Sequence, residues 1–202
     1  MRLTKFQLSA LVGIIVGDGY LQKTGKRNAR LKLEHPLNQK GYLMWKMSLL
    51  PNIFSGKITV IERIHPQTKK KYFYVRSQSN SSPLLGRLRK IFYEEDKKII
   101  PAKIENLLKH PIGYVIWYYD NGSFYKRDNL SYLSLGKIDE KSALESFKVW
   151  QKILPDVELN DKKEKGYELV FKKESLKKLR KILYWYQIPG VTYKIPNLPR
   201  ND

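Results

Sequence analysis

The chain has 202 residues, and its hydrophobic fraction of 42% is typical of a folded globular protein and argues against a disordered one. It has no cysteine, which excludes disulfides and cysteine-ligated metal sites. Lys and Arg number 39 against 19 acidic residues, and the net charge of +20 predicts a polyanionic partner. No apolar run reaches the roughly 18–20 residues of a membrane span. We therefore expect no membrane association and an intracellular location (cytoplasm, nucleoid or organelle matrix), without secretion.

The first half of the chain predicts helix, two strands, helix, two strands and helix, in that order. Thr4 and Gln7 form a capping box that begins the first helix, which runs to about Gly17. Leu31 and Leu33 alternate with charged residues, so the segment around them is predicted as a strand with one apolar and one polar face. The remaining elements of this half are predicted at residues 38–50, 57–64, 72–78 and 83–93.

The second half repeats this order. Its predicted elements lie at residues 112–120, 123–126, 130–135, 139–153, 157–159, 167–172 and 174–186. A repeat of this kind predicts two halves, residues 1–101 and 102–202. Each half is expected to be an α+β layer with a four-stranded antiparallel sheet, whose apolar face is covered by helices. Two such sheets side by side would present a long polar and basic trough.

Two apolar segments with similar ends stand at corresponding places in the halves. Residues 11–19 have the sequence LVGIIVGDG, and residues 114–122 have the sequence YVIWYYDNG. Gly13 and Gly17 share one helix face and allow another backbone to approach closely. Asp18 is a costly residue at the end of so apolar a helix unless it has a partner, a metal ion or water. Lys98 and Lys194 precede similar Ile- and Pro-containing stretches near the end of each half.

Residues 11–19 resemble the motif that names the LAGLIDADG homing endonucleases, and residues 114–122 resemble its second copy. The predicted order of elements is similar to that family's fold over residues 3–198. The resemblance implies two pseudo-symmetric αββαββα halves in a monomer, with the motif helices packed together at the seam. It also implies site-specific cleavage of both strands of a long double-stranded DNA target, with Mg²⁺ or another divalent cation.

The resemblance further implies roles for particular residues. The ends of the motif helices would hold the metal between scissile phosphates, which makes Asp18 and Asn121 the leading metal ligands, with the preceding Gly17 and Asp120 as further candidates. Lys98 and Lys194 resemble basic residues near the cleavage centre of two-motif members. They would supply positive charge or organise water, and with Asp18 and Asn121 they form the predicted catalytic set.

Contacts to DNA are expected from the outward side chains of the predicted strands and from the lysine tract at residues 69–71. Arginine and glutamine among them could bind base edges. The candidates are Arg30, Lys32, Glu34, Lys70, Tyr74, Arg76, Gln78, Tyr132 and Ser134.

The second motif departs from the family pattern. Aligning both motifs on their last glycine pairs Asp18 with Asn121, and Gly17 with Asp120. Adjacent helical residues point about 100° apart, so Asp120 does not simply replace the missing acid. Asparagine offers an uncharged oxygen where a hard dication prefers a carboxylate, which predicts weaker metal binding and weaker cleavage of one strand.

Three alternatives follow from Asn121. The protein is a working nuclease with an unusual ligand, or a nickase or non-cleaving binder such as a splicing maturase of intron RNA, or an active enzyme inactivated by a deliberate change. Other conspicuous residues are expected to be structural. Trp117, Tyr118 and Tyr119 are predicted to pack in the core, and the widely spaced His35, His65 and His110 to be structural or to contact phosphate.

Overall fold

The computed structural model describes residues 3–188 and 190–196. Residues 197–198 of the resemblance therefore lie outside the described residues, as do residues 1–2 of the first predicted half and residues 189 and 197–202 of the second. In the described part the α-helices are α1 (Lys5–Val16), α2 (Lys40–Ser48), α3 (Pro83–Phe92), α4 (Pro111–Asn121), α5 (Glu140–Gln151) and α6 (Lys173–Tyr184). The strands are β1 (Tyr20–Lys23), β2 (Ala29–Pro36), β3 (Phe54–Ile64), β4 (Lys71–Ser79), β5 (Tyr93–Glu94), β6 (Lys97–Lys98), β7 (Gly122–Tyr125), β8 (Leu130–Gly136), β9 (Val157–Asp161) and β10 (Tyr167–Phe171).

Two four-stranded antiparallel sheets confirm the predicted fold. Their strand orders are β1-β2-β4-β3 and β7-β8-β10-β9, the same arrangement twice. Each sheet follows its own motif helix, α1 or α4. The small pair of β5 and β6 was not predicted, because two residues a strand are too few to show a period.

Helix α1 is the most enclosed helix of the first half. Thr4 caps it through the predicted capping box, in which the Thr4 Oγ1 accepts from Gln7 N at 3.1 Å. Residues 9–16 are all buried, as expected for a helix that is apolar on every side. Such a helix needs neighbours all round, and α4 supplies one of them.

Helices α1 and α4 touch backbone to backbone. A Cβ added at Gly13 would lie 2.3 Å from the carbonyl oxygen of Gly113, and one added at Gly113 would lie 2.6 Å from that of Ser9. The role predicted for Gly13 is therefore confirmed. Its partner Gly113 lies before the second motif and was missed, because the alignment of the motifs offered no glycine opposite Gly13.

Both motif helices end in a tight passage to their first strand. A Cβ at Gly19 would lie 2.5 Å from the Ile14 carbonyl oxygen, and one at Gly122 would lie 2.4 Å from that of Tyr118. Only glycine fits such approaches of the chain to its own helix. The residue before each glycine, Asp18 or Asn121, is thereby held at the end of its motif helix.

The core prediction for the second motif is confirmed. Trp117, Tyr118 and Tyr119 are each no more than 1% exposed. The hydroxyl of Tyr119 donates to the Tyr186 carbonyl at 2.9 Å, which satisfies its polar end inside the protein. None of the helices described is both long and apolar enough to cross a lipid bilayer.

Candidate active site

Asp18 and Asn121 lie at the ends of the two packed motif helices. The side chain of Asp18 is 42% exposed. The Asn121 Oδ1 is closed off from solvent, and none of the described residues donates a hydrogen bond to it. A buried amide oxygen without a donor is costly unless a ligand uses it. A carboxylate and an amide oxygen are both ligand types that Mg²⁺ and Ca²⁺ accept, so each of these two atoms is chemically suited to bind a divalent cation.

The Asp120 side chain is fully buried and is already bound by three donors. Its Oδ2 accepts the main-chain N–H of Asp18 at 2.9 Å. Its Oδ1 accepts the Tyr42 hydroxyl at 2.7 Å and the Lys46 ammonium. A metal ion at Asp120 would compete with these three donors and would lie beside the Lys46 charge. The role of Asp120 as a metal ligand therefore stays a prediction.

Gly17 faces Asp120 directly. A Cβ added at Gly17 would lie 2.1 Å from Asp120 Oδ2, so the two residues paired by the motif alignment are in contact across the seam. The Gly17 carbonyl oxygen accepts from the Lys98 ammonium at 2.8 Å. The absence of a side chain at Gly17 is therefore what allows the Asp120 carboxylate to reach the end of α1.

His35 joins this group, which the sequence did not indicate. Its Nδ1 lies 4.0 Å from Asp18 Oδ2, and its Nε2 lies 3.1 Å from Lys46 Nζ. One ligand atom each of Asp18, His35 and Asp120 lies within 4.8 Å of the others. Burial and the Lys46 charge lower the pKa of His35 to about 4, so its imidazole is neutral at neutral pH.

The other two histidines, predicted to be structural or to contact phosphate, each accept a local hydrogen bond. His65 Nδ1 accepts the Thr68 N–H at 3.2 Å within the turn between β3 and β4. His110 caps α4, since its Nδ1 accepts the Ile112 N–H at 3.2 Å.

Burial and the neighbouring charges act on the Asp18 carboxyl in opposite directions. Burial raises the pKa of its carboxyl above the usual range, and the neighbouring Asp120 charge raises it further. The ammonium groups of Lys46, Lys194 and Lys98 oppose this rise. A carboxylate whose charged form is disfavoured by burial and by a like charge gains most from a cation that binds beside it.

Lys98 and Lys194 bind the ends of the motif helices. The Lys98 ammonium donates to the carbonyl oxygens of Gly17 and Gly19, at 2.8 and 3.0 Å. The Lys194 ammonium donates to those of Tyr119 and Asp120, at 2.6 and 3.0 Å. Burial lowers the pKa of Lys98 to about 8, and it lowers the pKa of Lys194 as well.

Each of these lysines therefore places a cation at the negative end of the motif helix of its own half. Their predicted location beside the motif ends agrees with these contacts. A role in catalysis stays a prediction.

The polar face of the first sheet carries most of the predicted DNA contacts. The register sets Lys32 opposite Gln78, and Glu34 opposite Arg76. The Arg30 guanidinium donates to Gln78 Oε1 at 3.1 Å, and that of Arg76 donates to Glu34 Oε2 at 2.6 Å. These side chains hold one another on one face, which orients their remaining donors before any DNA arrives.

The other candidates lie around this face and on the second sheet. The Arg63 guanidinium stands 4.9 Å above the Tyr74 ring, and Lys70 lies in the turn that leads into β4. Tyr132 and Ser134 lie on β8, and the Tyr132 ring contacts that of Tyr125 edge-on at 5.2 Å. Nothing in the structure tests these nine residues as DNA contacts, so that assignment stays a prediction.

Residues 8–179 match the sequence model of the LAGLIDADG DNA endonuclease family. The chain belongs to this family. The match includes both motif helices, α1 from Leu8 onward and the whole of α4, with the two sheets that follow them.

Solved structures of LAGLIDADG proteins share the fold. The homing endonuclease I-WcaI, bound to its DNA recognition sequence, aligns with a TM-score of 0.85 and 17% identity over 98% of this chain and 89% of that one. I-DmoI, in complex with DNA and Ca, aligns with a TM-score of 0.51 and 16% identity over 89% of this chain and 90% of that one. At such identities the likeness establishes the fold alone.

Curated sequence relatives are longer proteins. "Protein RecA" of Mycobacterium gastri is 29% identical over 133 residues, which is 62% of this chain and 28% of that protein. "Protein RecA" of Mycobacterium shimoidei is 29% identical over 128 residues, with the same shares of both chains. The LAGLIDADG chain thus spans little more than a quarter of the length of these relatives.

Three residues of this LAGLIDADG site were missed from the sequence. Tyr42 and Lys46 lie one turn apart on α2, and His35 lies near the end of β2. The available signal was Lys46 itself, since it falls on the same helix face as Tyr42, Leu43 and Met47, which are all buried. A lysine on an apolar face calls for a buried acid, but the sequence does not say which acid.

Proposed function

We propose that this chain is a site-specific DNA endonuclease that binds duplex DNA along the polar faces of its two sheets and hydrolyses phosphodiester bonds with a divalent cation held at Asp18 and Asn121. The observation that carries the proposal is the meeting of the two motif helix ends. There a half-exposed carboxylate and an amide oxygen without a donor stand beside the ammonium groups of three lysines. Membership of the LAGLIDADG family supports the reaction class.

The residues at the seam suit the needs of phosphodiester hydrolysis. A divalent cation bound there would activate water and stabilise the leaving oxygen. Asp18 supplies the formal negative charge that holds a cation, and Asn121 supplies a neutral oxygen. Lys98 and Lys194 fix the carbonyl groups at both helix ends and add positive charge where negative charge develops on the phosphate.

Duplex DNA is the proposed partner, and a monomer is the proposed state of assembly. A net charge of +20, with basic and polar side chains on one face of the first sheet, supports a duplex DNA partner. Both motif helices come from one chain and touch each other, which supports a monomer. Mg²⁺ is the proposed cation, with Mn²⁺ as an alternative of the same chemistry.

Asn121 favours a second candidate function. A metal site with one carboxylate has less negative charge than a site with two carboxylates, so cleavage could be confined to one DNA strand or lost. The second candidate is therefore a nickase or a non-cleaving binder of nucleic acid, including a binder of structured intron RNA such as a splicing maturase.

A selection experiment separates these functions. A library of randomised DNA duplexes is incubated in Mg²⁺ with the chain as given, with Asn121→Asp, and with Asp18→Asn as the control without the acid. Cleaved molecules are recovered and sequenced, and both strands are mapped. Double-strand cleavage at one sequence by the chain as given is the expected result.

Other outcomes of the selection have definite meanings. Cleavage only by Asn121→Asp indicates an inactivated site, and a break in one strand indicates a nickase. If neither the chain as given nor Asn121→Asp cleaves DNA, and both bind structured RNA tightly, the endonuclease proposal is wrong.

A further inference from the structure

Lys46 is a fully buried lysine, and a buried charge is costly unless it is paired. Its side chain has no exposed surface, and it projects from α2 towards the seam of the two motif helices. The equivalent place in the second half holds Trp150, since both residues lie five positions before the proline that follows their helix. The second half therefore builds a core with an apolar residue where the first half buries a charge.

The partners of Lys46 lead to Asp18. The ammonium binds Asp120 Oδ1, which also accepts the Tyr42 hydroxyl at 2.7 Å. The other oxygen of the same carboxylate accepts the Asp18 N–H at 2.9 Å. A lysine of the first half thus fixes a carboxylate of the second half, and that carboxylate holds the main chain of the predicted metal ligand.

A second branch from Lys46 reaches the Asp18 side chain. Lys46 can only donate, so the His35 Nε2 at 3.1 Å is the acceptor and the proton of the neutral ring is on Nδ1. The Nδ1 atom lies 4.0 Å from Asp18 Oδ2, which is longer than a hydrogen bond, so this branch places the polar side of the ring near the carboxylate without bonding to it. Lys46, Tyr42, His35 and Asp120, here called the Lys46 network, therefore face both the main chain and the carboxylate of Asp18.

The network has no counterpart at the other motif helix. The residue paired with Asp120 is Gly17, which has no side chain to reach Asn121. Among the described residues nothing donates to the Asn121 Oδ1. Whatever orients the second ligand, it is not a copy of the Lys46 network.

We propose that Lys46 is a positioning residue that acts through Asp120 and His35 to hold Asp18 in the orientation needed for cleavage, and that Asp120 serves this network and is not itself a metal ligand. The inference rests on the proposed function for its catalytic consequence. The contacts that carry it all lie within the chain, so part of it can be tested on the free protein.

The test uses one substitution, one matched control and one rescue. Lys46→Met removes the ammonium and keeps an unbranched apolar side chain that is one atom shorter. Lys40→Met makes the same change at an exposed position of the same helix. The double variant Lys46→Met with Asp120→Asn removes both charges but keeps an amide oxygen that can accept the Asp18 N–H, which also guards against misfolding caused by an unpaired buried charge.

Amide hydrogen exchange followed by NMR reports on the free protein. Lys46→Met removes the charge-assisted bond that fixes the Asp120 carboxylate, so the carboxylate should leave the Asp18 N–H more often and the Asp18 amide should exchange about tenfold or more faster. Amides in the middle of α1 should keep their exchange rates, whereas general destabilisation would accelerate them too. Lys40→Met should match the original chain, and the double variant should recover most of the Asp18 protection.

Single-turnover cleavage of the selected target reports on the catalytic consequence. Lys46→Met should lower the rate constant about 10–100-fold, the range for residues that orient metal ligands. The dissociation constant for the target should change less than about threefold, since Lys46 is buried and does not touch DNA. The double variant should cleave faster than Lys46→Met alone.

Two results would overturn the inference. One is an Asp18 amide that exchanges no faster in Lys46→Met than in the original chain. The other is a double variant whose Asp18 amide is protected but which cleaves no faster than Lys46→Met, because Asp120 would then be needed for its own charge. If the original chain cleaves no duplex, the proposed function fails, while the exchange measurement still decides whether Lys46 positions Asp18.

Discussion

Asp18 and Asn121 occupy equivalent places at the ends of their helices but have different surroundings. Asp18 has a half-exposed carboxylate, held through its main chain by Asp120. Asn121 contributes an oxygen that no described residue uses. The two residues therefore differ in charge and in the hydrogen bonds that hold them. We expect Asp18 and Asn121 to contribute unequally to metal binding.

Replacing Asp18 by Asn tests this inequality. We expect the cleavage rate to fall at least about 100-fold, since a lost ligand should cost no less than a lost outer-sphere partner. The dissociation constant for target DNA should change less than about threefold, because backbone phosphates dominate affinity. Cleavage and filter-binding assays measure the two quantities.

Asp156→Asn is the matched control for Asp18→Asn. Its side chain accepts the Glu174 N–H, far along the chain from the motifs, and asparagine can accept the same bond. Cleavage by this control should be unchanged. A fully active Asp18→Asn variant would show that Asp18 is not the principal ligand.

The pair α1–α4 determines the geometry of the site at the scale of elements. The close approach of Gly13 to Gly113 brings the two backbones together. The ends of the helices then meet, so the Asp120 carboxylate of α4 accepts the N–H of Asp18, two residues beyond the end of α1. The distance between the helices at their middle therefore controls which groups meet at their ends.

Gly13→Ala should disturb this seam. The added Cβ would meet the Gly113 carbonyl oxygen at 2.3 Å, and backbone cannot yield as a flexible side chain can. We expect the free energy of unfolding to fall by about 1–3 kcal/mol, as for other overpacked sites. Urea denaturation followed by circular dichroism measures the change.

Gly25→Ala serves as the comparison for Gly13→Ala. Nothing lies within 4 Å of a Cβ added there, so its stability should stay unchanged or rise by up to about 1 kcal/mol. Equal stabilities for the two alanine variants would argue against a tight backbone contact between α1 and α4.

The whole molecule separates a polar sheet face from a helix-covered face. On β2, Leu31 and Leu33 are buried while Lys32 points to the other side. Helix α6 buries Leu176, Leu179 and Leu183, and its exposed lysines therefore point away from the core. The charge of +20 is thus spread over both sides, although only one side is proposed to hold DNA.

The salt dependence of DNA binding distinguishes the two sides. Lys32→Gln should reduce the slope of log K against log salt by about 0.9, the value for one phosphate contact on duplex DNA. Lys178→Gln, on the exposed face of α6, should leave the slope unchanged. A larger effect at Lys178 would place the DNA on the helix side.

The proposed monomer predicts the mass of the protein in solution. Both motif helices are present once, so one chain of 23.9 kDa should form the complete site. Light scattering should give this mass for the free protein, with one chain bound to each target duplex. Two chains on each duplex would contradict the proposed monomer.

The sequence alone determined the order of the elements and the location of the motifs. Thr4 and Gln7 begin α1, the alternation around Leu31 predicts β2, and the two segments ending in Asp18-Gly19 and Asn121-Gly122 are similar enough to indicate the family and its fold. These features are local, because a capping box, a strand period and a short motif each lie within a few neighbouring residues. The exact limits of the strands and the pair β5–β6 could not be predicted from the sequence, since short elements have little period to detect.

Only the tertiary structure decided how the site is supported. The hydrogen bond from Asp18 to Asp120 spans 102 positions, and that from Lys46 to Asp120 spans 74. No local pattern encodes such partners, because any buried lysine needs an acid and the chain offers 19 acidic residues. The sequence identified Asp18 and Asn121 as candidates. The packing of Gly13 on Gly113 brings Asp120 to Asp18, and α2 and β2 add Lys46 and His35, because partners so far apart along the chain meet only when the elements pack.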